Sequence, residues 1–100
     1  MIAMGDLEHA RARIDEIDAQ IVELFQQRMD CAAAIAAYKR EHALPVLDAS
    51  RERQRVEAAE ALVSPDLRPY VARLMEAIMG LSRDRQEELL QQDPTEVERP

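Results

Sequence analysis

Between Asp6 and Glu41 the chain carries neither proline nor glycine, and Leu7, Ala10, Ile14, Ile17, Ile21, Leu24, Arg28, Cys31, Ile35 and Tyr38 recur at alternating spacings of three and four. This pattern predicts one long helix with a coiled-coil-like seam. At 1.5 Å per residue such a helix is roughly 50 Å long, whereas a compact chain of this size has a radius of gyration of about 13 Å. It is therefore expected to extend beyond its own monomer and to cover its apolar seam with the same helix of a second copy.

The segment His42 to Leu47 interrupts the pattern, made firm by Pro45, and Asp48 or Ser50 can cap a second helix running to about Val63. A third helix is expected to begin around Ser64-Pro65-Asp66, with Pro69 tolerated only in its first turn. It continues through Val71, Leu74, Ile78, Ser82, Gln86 and Leu89 or Leu90 to about Gln92. Residues 93–100 are polar, acidic and closed by prolines, the composition of a disordered tail. The expected fold is all-α, with one long, one short and one medium helix in a domain over residues 1–92, assembled as an intertwined helical-bundle homodimer.

Composition agrees with the pattern. Apolar residues make up 47% of the chain but aromatics only 3%, with two glycines, which is the usage of helices rather than sheets. A formal charge of -7 argues against a nucleic-acid partner, since those binders carry a basic surface. The most apolar run, Cys31 to Tyr38, is too short to span a bilayer, which needs about 20 helical residues. With one cysteine, no internal disulfide and no secretory leader, the expected location is the cytoplasm. His9, His42 and Cys31 stand at no ligand spacing, so neither a metal nor a cofactor is expected.

Several polar residues occupy positions that the pattern reserves for apolar ones. Arg28 lies in the seam, where an unpaired charge costs several kcal/mol. It meets either an acidic residue of another helix or an anionic ligand. Lys39 lies eleven residues further on, about 20° around the helix and roughly 16 Å along it, so the two side chains can converge on one small molecule. Read alone, Lys39 is equally a surface lysine whose stem covers apolar neighbours. Arg11 is about 25 Å from Arg28 along the same helix. It fits a solvated charged face, unless an antiparallel partner chain delivers it to the Arg28 region. Ser82 and Gln86, four apart, face the way the core residues face, as interhelical hydrogen-bonding groups or as ligand contacts. Asp48, Arg51 and Glu52 cluster at the start of the second helix, as a cap with a surface ion pair or as part of a site.

Taken together, Arg11, Arg28, Lys39, Asp48, Arg51, Glu52, Ser82 and Gln86 resemble the active-site set of the AroQ-class, all-helical chorismate mutases. The resemblance rests on Arg11-Ala12-Arg13-Ile14-Asp15-Glu16-Ile17-Asp18, Leu24-Phe25-Gln26-Gln27-Arg28, Lys39, Pro45-Val46-Leu47-Asp48-Ala49-Ser50-Arg51-Glu52 and Ser82-Arg83-Asp84-Arg85-Gln86. It covers about residues 6 to 90. The chain departs from that pattern at Leu47, where the family often has an aromatic, and at Arg85, where an aromatic or apolar residue is frequent.

The resemblance implies rearrangement of the dianion chorismate to prephenate in aromatic amino acid biosynthesis, a pericyclic step that needs no acid, base or nucleophile. Arg28 and Arg11 of the partner subunit would bind the two carboxylates, with Ser82 assisting. Lys39 and Gln86 would donate to the ether oxygen. Glu52 and the backbone at Asp48 would bind the ring hydroxyl, with Arg51 orienting Glu52. Another shikimate-pathway enzyme is a candidate partner. Competing readings on the same fold are an isochorismate-pyruvate lyase and a mutase of 4-amino-4-deoxychorismate. A non-enzymatic helical dimer module is the reading from a different class.

Overall fold

The computed structural model describes residues 4–92. Three α-helices account for most of them, α1 Met4–Glu41, α2 Ala49–Glu60 and α3 Arg68–Gln91, with a short 3-10 turn over Pro65–Leu67 and no strand among the described residues. The all-α expectation of one long, one short and one medium helix is met. The tail expected over residues 93–100 lies outside the described residues.

The chain divides between Cys31 and Ala32 into two compact units. The first is the N-terminal part of α1. None of its described residues is buried, and its seam stands open, with Ile21 55% and Leu24 62% exposed. Local pairs on this helix, Arg13 with Glu16 at 3.0 Å and Gln26 with Asp30 at 3.0 Å, lie on exposed surface and contribute only a few tenths of a kcal/mol each. Burial of an apolar face normally stabilises a protein helix far more than such pairs do.

The second unit holds the last turns of α1, the loop, α2, the 3-10 turn and α3. Its buried apolar residues are Ala32, Ala36, Val46 and Met79. On α1 these alanines define a line beside the seam, which Lys39 continues at a spacing of three, while the seam residues Ile35 and Tyr38 stay exposed. A similar shift occurs on α3. The sequence pattern places Leu74 on the inward line, yet Leu74 is exposed and Met79, Ser82 and Gln86 are the buried residues of the helix. Unbranched methionine fills an irregular contact that leucine fits less readily, and at spacings of three and four Met75, Met79, Ser82 and Gln86 form one continuous stripe.

The ends of the elements follow local chemistry. After Glu41 the chain closes α1 with a Schellman motif, in which Ala43 N–H reaches Arg40 C=O and Leu44 N–H reaches Lys39 C=O. Ala43 takes the left-handed conformation at φ 53°, a place that normally selects glycine. Asp48 is the N-cap of α2, its carboxylate accepting from Arg51 N–H at 3.0 Å. α2 ends at Glu60 rather than Val63, because residues 61–63 turn toward the 3-10 segment and Arg68 Nε donates to Glu60 C=O at 3.2 Å. Pro65 opens the 3-10 turn and Pro69 sits in the first turn of α3, where a missing N–H costs nothing. No helix among the described residues is long and apolar enough to cross a membrane.

Candidate active site

The second unit gathers polar groups from all three helices. Lys39, in the last turn of α1, reaches inward from the line of buried alanines. Its ammonium donates to the main-chain carbonyl of Val46 in the loop and to Gln86 Oε1 at 3.0 Å. Gln86 in turn donates through Nε2 to Ser82 Oγ at 3.1 Å. The orientation of the amide is forced, because an ammonium can only donate and so turns the oxygen of Gln86 toward itself, leaving the nitrogen for the serine. Ser82 is 8% exposed and Gln86 6%, so this chain runs through the interior, and no buried side-chain polar atom among the described residues lacks a partner.

The electrostatics of this group are one-sided. Lys39 is half-buried and has no acidic partner among the described residues; a carbonyl dipole and an amide dipole are all that balance it. Of its three N–H bonds two are used. Gln86 keeps a second N–H and Ser82 its hydroxyl proton. The cluster thus offers donors and positive potential without a carboxylate among its members, which suits an oxygen that is anionic or becomes so.

A second pair stands on the adjoining side of α3. Glu52, in the first turn of α2, forms an ion pair with Arg83, one residue beyond Ser82 and three before Gln86. Arg51, the residue expected to orient Glu52, is exposed, and its backbone N–H serves the Asp48 cap. Arg51 and Glu52 leave α2 in directions about 100° apart, whereas Arg83 meets Glu52 from the facing helix. One oxygen of the Asp48 carboxylate is engaged in the cap of α2.

The sequence-derived residues therefore divide. Lys39, Ser82 and Gln86 are joined by hydrogen bonds, Asp48 and Glu52 open the helix beside them, and Arg51 stands exposed. Arg11 and Arg28 belong to the first unit, Arg11 exposed and Arg28 half-buried, and neither forms an ion pair among the described residues. The two departures from the family pattern are both exposed: Leu47 faces solvent and Arg85 pairs with Glu88 at 3.1 Å. Sequence reasoning missed Arg83, although it falls on the helical line from Met79 to Gln86, where an arginine needs an acidic partner. It also missed the Val46 carbonyl, for which a sequence holds no signal because every residue has one. Among the described residues there is no cluster of three or more His, Cys, Asp or Glu side chains that could hold a metal ion.

The model of the family described as chorismate mutase type II matches residues 10–87, a span that includes every candidate residue named above. The T-protein of Haemophilus influenzae is 32% identical over 72 residues, covering 67% of this chain and 19% of that protein. The chain thus spans about a fifth of the length of that relative. No solved structure matches significantly.

Proposed function

The chain belongs to the chorismate mutase type II family, a family of intramolecular isomerases, and on that premise we propose that it converts chorismate to prephenate as a homodimer. The observation that carries the reading is the half-buried Lys39, bonded to Gln86 and Val46 with no acidic partner among the described residues.

The reaction is a Claisen rearrangement of an allyl vinyl ether. One carbon–oxygen bond breaks as one carbon–carbon bond forms, with no proton transferred and no covalent link to the protein. Its barrier falls when the flexible substrate is held compact and when the charge that grows on the ether oxygen is stabilised. Lys39, through its unused N–H, and Gln86, through the second N–H of its amide, donate to that oxygen. Both contacts strengthen as the bond breaks, which is the condition for raising turnover rather than merely tightening binding. Arg28, together with Arg11 of the partner subunit, holds the two carboxylates, and Ser82 contributes its hydroxyl to one of them. Glu52 and the main chain at Asp48 accept and donate at the ring hydroxyl, with Arg51 adding positive potential on that side. The domain doing this work is residues 1–92.

Dimerisation is supported by the open seam of α1, where Ile14, Ile17, Ile21 and Leu24 are all exposed in the single chain. Contiguous apolar surface of this kind is characteristic of an interface. A second copy is the occupant that the coiled-coil spacing favours.

The test is incubation of the purified protein with chorismate, and separately with isochorismate, followed by chromatography of the products. Prephenate from chorismate is the expected result. Salicylate and pyruvate from isochorismate, with chorismate untouched, would replace the mutase with the lyase reading. Conversion of neither would return the chain to the amino-substrate or non-enzymatic readings.

A further inference from the structure

The ion pair between Glu52 and Arg83 has no part in the reading above, and its geometry is selective. Each partner has an opposite charge available on its own helix: Arg55 lies three residues beyond Glu52, and Glu87 four beyond Arg83, both at spacings that allow pairing. Neither local pair forms. Glu52 and Arg83 instead meet across 31 residues of sequence, from α2 to α3, with side chains 24% and 36% exposed. Partial burial leaves the pair less screened by solvent than a pair on open surface. The guanidinium folds back along α3 over Gly80, the direction in which long helical side chains point.

Only one oxygen of the carboxylate is used. Arg83 Nη1 donates to Oε1, and Oε2 accepts from no other side chain among the described residues. Glu52 therefore keeps one acceptor oxygen while Arg83 balances its charge through the other. Resting on the mutase reading, we infer that Arg83 is a positioning residue that makes this end of the site selective for a neutral hydroxyl over an ammonium at the same ring position.

The physical reason is a balance of charge. A hydroxyl needs an oriented acceptor, which Oε2 supplies with or without net charge. An ammonium gains most from an uncompensated carboxylate, and beside a carboxylate already paired it meets the guanidinium as well. Cancelling the charge also helps a dianionic substrate, which a lone Glu52 would repel. Without Arg83 both effects reverse: the hydroxyl substrate loses and the ammonium substrate gains.

The experiment measures kcat/KM for chorismate and for 4-amino-4-deoxychorismate on the full chain, wild type against Arg83→Met and Arg83→Gln, with circular dichroism to establish that each variant is folded. The ratio of the two values is expected to move at least about tenfold toward the amine in both variants, carried mainly by KM for chorismate, and Arg83→Lys should recover most of the wild-type ratio. In a Glu52→Gln background the same Arg83 substitutions should leave the ratio unchanged, because the effect passes through the carboxylate. An unchanged ratio in both folded variants overturns the inference while the mutase reading stands, and so does a shift that persists without Glu52. Failure of the wild type to convert chorismate overturns the mutase reading and this inference with it.

Discussion

The two units of the chain treat their charges differently. In the second, Lys39, Gln86 and Ser82 are linked into one chain of hydrogen bonds, Glu52 is matched by Arg83, and apolar residues from α1, the loop and α3 are buried. In the first, no described residue is buried, and Arg11 and Arg28 form no ion pair among the described residues. Donors in the second unit are preorganised by their own neighbours, so they cost little to align when charge develops. Arg11 and Arg28 have no comparable partner among the described residues, unlike Arg13, which pairs with Glu16. On the proposed reading, order there comes from the second copy and from the substrate.

That contrast can be tested at decreasing scale. The largest effect is expected at Lys39, where Lys39→Ala should lower chorismate turnover at least about a hundredfold, the scale of losing one preorganised donor, with helicity retained in circular dichroism. Arg28→Ala should match it in activity. Mixing inactive Arg11→Ala with inactive Lys39→Ala under subunit exchange should restore part of the turnover, since a mixed dimer holds one intact site; exchange without recovery removes Arg11 from the partner's site. Next comes Leu24→Glu, which places a charge in the exposed seam. Light scattering should find the dimer weakened or lost, and a monomer that keeps full activity would sever the first unit from catalysis.

Smaller effects probe how the second unit holds itself together. Asp48→Ala removes the cap of α2 and should cost about 1 kcal/mol in a denaturant titration. Ala43→Gly relieves the left-handed residue that closes α1 and should stabilise by up to about 1 kcal/mol, with turnover unchanged. A loss of stability there would show that the unfolded chain gains more freedom from the glycine than the turn gains in relief.

Much of this molecule could be read in one dimension. The apolar spacing of three and four from Leu7 to Tyr38 determined the body of α1, which starts ahead of it at Met4 and includes Gly5; Pro45 and Asp48 placed the break and the cap; Pro65 and Pro69 marked the entry to α3. These are local effects, governed by backbone dihedrals and by hydrogen bonds a few residues long. The ordered set of polar residues also carried the family, because spacing along a helix converts directly into a shared face. What the sequence left open was which of two adjacent faces each helix buries. Leu74 and Met79 are both apolar at plausible spacings, and only the packing of the folded chain placed Met79 inside and Leu74 outside. Tertiary structure likewise decided that Glu52 pairs with Arg83 and that the Val46 carbonyl meets Lys39. Partners drawn from different helices are set by how those helices pack, which no spacing within one helix records.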